Sequence, residues 1–255
     1  MRLGPLIARL ALAGVLLVIT GVLMPLLARA ETLFTSLEKP PAPVEVAELL
    51  ARGVVIFEMD FDQPGAAEAV AAVRAGGGKV TAYHVGGGGG RAWGSVKAGE
   101  FVRYYDDPKD FAALTEDVKR LVARGASFVH FDNTHRMSGK RLEAVADAIR
   151  AGGAGFVAKN NPDKWRLVMT RRPDLVPGYA IVEDAMRDAE ETQAAFELHE
   201  RGVPVTIVGF RKPIDPKAVG IPDEYAAAYK AVNPWAQILL MDDERAFDSR
   251  TARFF

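Results

Sequence analysis

The stretch Gly53–Met59, GVVIFEM, decides the fold class of this chain. Its nearly continuous apolar and β-branched residues predict a strand that is buried on both faces, as in a parallel sheet. The alanine-rich stretch Ala66–Ala75 follows and predicts a helix, which the glycines from Gly76 onward would end. A strand followed by a helix is the unit from which α/β folds are built.

The same alternation continues along the chain. Eight buried strands that alternate with helices predict an α/β fold, and we interpret them as a compact (β/α)8 TIM barrel. A doubly wound open sheet is the alternative. The further strands are predicted at Lys79–Val85, Phe101–Tyr105, Ser127–Phe131, Gly155–Lys159, Gly178–Val182, Val203–Phe210 and Gln237–Met241. The further helices are predicted at Phe111–Arg124, Ser138–Arg150, Pro162–Thr170, Asp188–Arg201 and Pro222–Val232.

The first 30 residues have the pattern of a secretory signal peptide or a membrane anchor. Arg2 and Arg9 lead into an apolar run at residues 10–27, and Ala28-Arg29-Ala30 matches an A-x-A cleavage site. Cleavage after Ala30 predicts a secreted or periplasmic protein. If the segment is retained, residues 10–27 would tether the protein to a membrane, facing outside.

The rest of the chain divides into a short linker and one domain. Pro40, Pro41 and Pro43 fall close together without a helical or strand period, so residues 31–46 are predicted to be a proline-rich linker. Residues 47–255 then form the (β/α)8 domain, which we expect to be monomeric.

Composition excludes several classes of function. The chain has 32 basic and 33 acidic residues, a balance that argues against a dedicated nucleic-acid binder. It has no cysteine, which excludes disulfides, zinc–thiolate sites and a cysteine nucleophile within this sequence. The five glycines at 86–90 match neither a dinucleotide-binding nor a P-loop pattern, and we predict no cofactor.

Polar residues follow the predicted strands at their carboxyl ends. In a barrel of parallel strands these ends meet on one face, where catalytic groups lie. The amino ends of the strands carry no matching acidic set. The predicted functional rim consists of Asp60, Asp62, His84, Asp106, Asp107, Asp132, Asn133, Lys159, Asn160, Asn161, Glu183, Asp184, Arg211, Asp242 and Asp243.

Carboxylates that converge on a cleft suit glycoside hydrolysis. One carboxyl group protonates the leaving oxygen, and the other is ionised and attacks the sugar or activates water. Spacing along the sequence does not tell which two of the acidic residues form the pair.

Several rim segments resemble glycoside hydrolase family 114, a family of (β/α)8 endo-α-1,4-polygalactosaminidases, and related bacterial hydrolases of exopolysaccharide synthesis. The resemblance covers about residues 50–210 and depends on the order and spacing of short motifs. The motifs are Phe57-Glu58-Met59-Asp60-Phe61-Asp62, Gly78-Lys79-Val80-Thr81-Ala82-Tyr83, Arg103-Tyr104-Tyr105-Asp106, Phe131-Asp132-Asn133, Ala158-Lys159-Asn160 and Val182-Glu183-Asp184.

The resemblance implies that Asp132 and Glu183 are the catalytic carboxylates of a glycoside hydrolase. Its substrate would be an α-linked amino-sugar exopolysaccharide of the galactosamine or N-acetylgalactosamine type. Our working hypothesis is a retaining mechanism with Asp132 as nucleophile and Glu183 as general acid and then base. The matched residues expected to line the sugar subsites, together with His84 and the aromatic Trp93, are Asp60, Asp62, Tyr83, Asp106, Asn133, Lys159 and Asn160.

The departures from the family pattern leave other functions open. His130 stands where the family has proline, and Val182 stands where it has asparagine. One alternative is therefore a catalytically degenerate sugar-binding or exopolysaccharide-assembly protein. The other is a metal-dependent hydrolase, with ligands drawn from Asp60, Asp62, His84, His130 and Asp132.

Overall fold

A computed structural model describes residues 31–84, 108–132, 138–183, 185–215, 217–244 and 247–255. Residues 31–255 form one compact unit. The strands lie in one sheet in the order in which they occur along the chain, and the first eight are parallel to their neighbours. The strands are β1 Thr32–Ser36, β2 Val54–Met59, β3 Lys79–His84, β4 Phe128–Phe131, β5 Gly155–Lys159, β6 Tyr179–Glu183, β7 Val205–Lys212, β8 Gln237–Asp243 and β9 Arg253–Phe254.

Helices connect the described strands. They are α1 Pro43–Ala51, α2 Ala66–Ala75, α3 Pro108–Ala123, α4 Gly139–Ala151, α5 Pro162–Arg171, α6 Ala189–Glu200 and α7 Asp223–Val232, with one 3-10 turn at Ala185–Arg187. The predicted α/β class is confirmed, because strands and helices alternate and the strands run parallel.

The strands are buried on both faces, and the two faces pack against different groups. Along β5, Phe156 and Ala158 pack with the helices, whereas Val157 packs with residues of the other strands. Along β7, Ile207 belongs to the helix-side core and Val208 to the strand-side core. Successive side chains of a strand point to opposite faces, so one curled sheet divides the interior into two apolar layers.

The structure corrects the prediction that residues 31–46 form a linker. Thr32–Ser36 is strand β1, which pairs in parallel with β2, and Leu33 and Phe34 are fully buried. Pro43 begins helix α1, a position where its fixed φ and missing N–H are tolerated. The prolines therefore mark the turn before a helix, and the apolar TLFTS stretch supplies the first strand.

The predicted strand Phe101–Tyr105 lies outside the described residues. In the sheet, β3 pairs directly with β4, through Tyr83 opposite His130 and His84 opposite Phe131. No strand therefore lies between β3 and β4, where that segment was predicted. Within the described residues, eight strands run parallel, and β1 is one that the sequence did not predict.

The predicted closed barrel requires β1 to pair with β8. In the part of the chain that the structure describes, these two strands do not pair. Instead, β9 runs antiparallel to β8, with Phe254 opposite Leu239 and Arg253 opposite Leu240. The segment before β9 reaches β1, where the Ser249 N–H donates to the Thr35 carbonyl at 2.9 Å and the Thr35 N–H donates to Ser249 Oγ at 3.0 Å. The C-terminal segment thus bonds to both ends of the parallel sheet.

Within the described ranges, no helix has the length and apolar character that a membrane crossing requires.

The bond between Ser249 and Thr35 predicts a measurable contribution to stability. Ser249→Ala leaves the buried Thr35 N–H without its acceptor, which should lower the free energy of unfolding by about 1–3 kcal/mol. Ser138→Ala is the matched control, because Ser138 is exposed and its side chain makes no cap hydrogen bond. Urea unfolding followed by circular dichroism measures both, and equal stability of the two variants would contradict this role of the C-terminal segment.

Candidate active site

The two carboxylates singled out by sequence lie at the same end of the sheet. Asp132 directly follows β4, and Glu183 is the last residue of β6. The strand between them, β5, ends at Lys159. Because the carboxyl ends of parallel strands meet at one edge of a sheet, Asp132, Lys159 and Glu183 lie at the same edge, on three neighbouring strands.

Glu183 is held by the two residues that end β5 and follow it. Lys159 Nζ donates to Glu183 Oε1, and Asn160 Nδ2 donates to Glu183 Oε2 at 2.9 Å. Asn160 Oδ1 also accepts from the Glu183 backbone N–H at 2.9 Å. Both carboxylate oxygens of Glu183 therefore have hydrogen-bond donors, which fix the orientation of its side chain.

The backbone after β5 is bent to make this clamp. Asn160 and Asn161 both have positive φ, at 50° and 45°. Asparagine adopts this left-handed region more readily than most residues, and such strain concentrates at functional sites. Pro162 then begins α5, so the two asparagines turn the chain within two residues and leave the Asn160 amide facing Glu183.

Lys159 carries a buried positive charge among carboxylates. Its side chain is only 6% exposed, and burial alone would lower the pKa of the ammonium group. The charges of Glu183 and Asp132, the hydrogen bond to Glu183 and the charge of Glu58 outweigh burial and raise the pKa of Lys159 above its ordinary value. Lys159 therefore remains an ammonium group and is electrostatically coupled to both predicted catalytic carboxylates.

Asp132 receives a short hydrogen bond from the neighbouring strand. Tyr83 Oη donates to Asp132 Oδ2 at 2.6 Å. The Tyr83 ring meets the His130 ring edge to face, with centroids 5.0 Å apart and planes at 83°. Tyr83, which was predicted as a sugar-contacting residue, is thus a direct partner of Asp132.

A cluster of buried polar side chains lies in the same sheet, closer than the carboxylate pair to the amino-terminal ends of the strands. His130 Nδ1 is 2.8 Å from Glu58 Oε2, and both side chains are fully buried. Tyr179 Oη lies 3.1 Å from the same Glu58 oxygen and 2.9 Å from Thr81 Oγ1. Burial and the nearby charge of Glu58 raise the pKa of Tyr179 well above its ordinary value, so Tyr179 stays a neutral hydroxyl.

Sequence analysis did not select Glu58, Thr81 or Tyr179. One signal for Glu58 was present, because it is the single charged residue in the apolar strand GVVIFEM. A charge in a strand buried on both faces needs a buried partner. The identity of that partner depends on strand neighbours that are far apart in sequence.

Two other predicted rim residues have partners of their own. Asp60 Oδ1 accepts from the Asp62 N–H at 2.9 Å, and Asp60 Oδ2 accepts from Gln63 Nε2 at 3.1 Å, which closes the turn after β2. Asp62 is exposed and pairs with Arg124 at 3.0 Å. None of these bonds joins either aspartate to the group around Asp132 and Glu183, and their sugar contacts stay predictions.

The structure describes the remaining predicted residues to different extents. His84 ends β3, but its side chain lies outside the description, and Trp93, Asp106, Asp107, Asn133 and Asp184 lie outside the described residues altogether. At the ends of β7 and β8, Arg211 pairs with Asp242 and with Asp223 of α7.

Phe247, in the C-terminal segment, packs over the Lys159 ammonium group. The centroid of its ring lies 5.0 Å from Lys159 Nζ.

The described residues also bear on the metal alternative. His130, one of the ligands proposed there, bonds to Glu58 through Nδ1. Among the described side chains, no three histidines and carboxylates gather in a way that could hold a metal ion.

Comparison with known proteins identifies the fold. The chain is similar to the glycoside hydrolase domain of PelA from Pseudomonas aeruginosa, with a TM-score of 0.55 and 14% identity over 84% of this chain and 94% of that chain. A variant of the same domain gives a TM-score of 0.54 and 13% identity over the same shares of the two chains. The spore cortex-lytic enzyme SleL from Bacillus cereus gives a TM-score of 0.49 and 8% identity over 82% of this chain and 58% of that one.

No protein-family model and no curated protein matches the chain. At 14% and 13% identity, the likeness to the two PelA structures shows a shared fold.

The buried ammonium group predicts a dependence of stability on alkaline pH. Because the pKa of Lys159 is raised in the folded protein, its stabilising contribution is complete below the unfolded value of about 10.4 and is lost as pH rises through the folded value. The free energy of unfolding should therefore fall above about pH 10.4, and it should fall less steeply in Lys159→Met.

Lys119→Met is the control for this measurement, since Lys119 is half exposed and pairs only with Glu116 one helical turn away. Urea unfolding at a series of pH values gives the slopes. The same slope in Lys159→Met and Lys119→Met would show that Lys159 is not coupled to the carboxylates.

Proposed function

We propose that this protein is a glycoside hydrolase that uses Asp132 and Glu183 as its carboxylate pair. The single observation that carries the proposal is that Lys159 bonds to Glu183 and interacts with the charge of Asp132, at the carboxyl ends of three neighbouring parallel strands. The fold shared with the PelA glycoside hydrolase domain supports it. The sequence resemblance to family 114, which implies the same two residues, is a separate line of support.

The proposed reaction is a double displacement on an α-linked sugar. The Asp132 carboxylate attacks the anomeric carbon while Glu183 gives a proton to the leaving glycosidic oxygen, and the glycosyl ester is then hydrolysed by water that Glu183 deprotonates. Lys159 has charge interactions with both carboxylates. When Glu183 is protonated, its electrostatic attraction for Lys159 falls. The ammonium group of Lys159 then interacts mainly with Asp132 and stabilises the charge of the attacking carboxylate.

The proposed substrate is an amino-sugar polymer of the galactosamine or N-acetylgalactosamine type. The resemblance to family 114 suggests this sugar class. The charge of the described site agrees with it, because two carboxylates, those of Asp132 and Glu183, interact with one ammonium group, that of Lys159. A site with an excess of negative charge attracts cationic sugars, so partly deacetylated chains should bind best.

We also propose that the protein acts outside the cytoplasm. The support is the sequence pattern of residues 1–30, a basic start followed by an apolar run and an A-x-A motif. A polymer too large to cross the membrane would then be within reach of the enzyme.

Activity measurements on carboxamide variants test the carboxylate pair. We expect the purified protein to shorten α-1,4-linked galactosamine or N-acetylgalactosamine oligomers, as read by mass spectrometry. Asp132→Asn and Glu183→Gln keep the side-chain shape but remove the charge and the proton chemistry, and each should lower kcat by roughly 10²–10⁴-fold.

Asp174→Asn is the matched control, because Asp174 is an exposed aspartate that pairs with Arg172 and Arg150 on the outer surface. It should keep full activity. Undiminished cleavage by either carboxamide variant would refute the assignment of the pair. Binding of the oligomers without cleavage by the wild-type protein would favour the sugar-binding alternative.

The stereochemistry of the product tests the double displacement. Two displacements at one carbon retain configuration, so the first-formed reducing end should be the α anomer. Proton NMR during the first minutes of hydrolysis distinguishes it from the β anomer before mutarotation mixes them. An initial β product would show that a water molecule, and not Asp132, attacks the sugar.

A further inference from the structure

The buried group formed by Glu58, His130, Thr81 and Tyr179 is not used by the reaction described above. Glu58 and His130 are fully buried, as is Thr81, and they come from three consecutive strands. Keeping a carboxylate away from water costs free energy unless it is paired and hydrogen-bonded. A group of this kind inside an otherwise apolar core calls for a reason beyond stability.

The bonds of this group lead toward the catalytic end of the sheet. Glu58 Oε2 is fixed by Tyr179 at 3.1 Å and lies 2.8 Å from His130 Nδ1. The other ring nitrogen of His130 is buried without a hydrogen-bond partner among the described atoms, so the bond to Glu58 is the polar contact that sets the plane of the ring. That ring meets Tyr83 edge to face, and Tyr83 donates to Asp132 at 2.6 Å.

We propose that Glu58 and His130 are positioning residues for the active site. Glu58 orients the His130 ring, the ring holds Tyr83, and Tyr83 fixes the carboxylate of Asp132 by its hydrogen bond. This inference depends on the proposed function only for its effect on catalysis, since the contacts exist without a substrate. It also gives a role to His130, which stands where the resembled family has proline.

The effect on rate follows from geometry. A nucleophile must lie within bonding reach of the anomeric carbon and in line with the bond that breaks, and a displacement of about 1 Å can cost up to about 100-fold in rate. Loss of the support under Tyr83 should therefore lower kcat and leave KM nearly unchanged, because neither Glu58 nor His130 reaches the surface where the sugar binds.

The test compares a variant that keeps a hydrogen-bond acceptor for His130 Nδ1 with a variant that removes this hydrogen bond. Glu58→Gln keeps an acceptor oxygen for Nδ1, so it should keep the ring plane and most of kcat. The double variant Glu58→Leu/His130→Phe removes both polar groups together, which avoids an unpaired buried charge and preserves folding. It should lower kcat by about 10- to 100-fold with KM unchanged.

Thr115→Val is the control for general loss of packing, because Thr115 bonds to the Ala148 carbonyl between α3 and α4, away from this group. It should leave kcat and KM as in the wild type. Circular dichroism melting of all variants confirms that they are folded. A folded double variant with wild-type kcat would overturn the proposal.

A second readout needs no substrate. A short hydrogen bond deshields its proton, so the Tyr83 hydroxyl should give a downfield proton resonance, which Tyr83→Phe identifies by its loss. The resonance should persist in Glu58→Gln and Thr115→Val and disappear in the double variant. If the wild-type protein cleaves no glycan, the proposed function fails, yet this pattern would still establish the positioning relation. A resonance that persists in the double variant would refute it.

Discussion

The ammonium group of Lys159 is the constraint on which the rest of the site depends. It is buried, it bonds to Glu183, and it interacts with the charges of Asp132 and Glu58, so one cation offsets the repulsion among three carboxylates at one sheet. Without a cation, such groups would repel one another and bind protons. Strand β5 lies between β4 and β6, so Lys159 at its end stands between the strands that lead to Asp132 and Glu183.

The fold class could be predicted from local patterns, because buried strands and amphipathic helices differ in period. Val54–Met59 and Gly155–Lys159 lie within a residue of their predicted limits. The first strand was not predicted, since TLFTS is short and the nearby prolines resemble those of a linker. That β1 and β8 do not pair within the described residues could not be predicted either. It depends on the bond of Ser249 to Thr35, 214 residues away, and on the pairing of β9 with β8.

Part of the site could be predicted, because its residues stand at or near the carboxyl ends of predicted strands. Asp132, Lys159, Asn160, Glu183 and Tyr83 were all selected from position and resemblance. Hydrogen bonds join Tyr83 to Asp132, and join Lys159 and Asn160 to Glu183. Which of them touch could not be predicted, since spacing along the chain does not give distances between strands. Glu58 and Tyr179 were missed because their role depends on their contact with each other, and 121 residues separate them along the chain.

A covalent intermediate trapped on the enzyme would test the central claim most directly. An activated 5-fluoro α-galactosaminyl fluoride should form the glycosyl ester rapidly and hydrolyse slowly, and peptide mass spectrometry then locates the added sugar. The account predicts one sugar per chain, attached to the peptide that contains Asp132, and none on the Asp132→Asn variant. A sugar attached to Glu183, or to any carboxylate that is not next to Lys159, would contradict it.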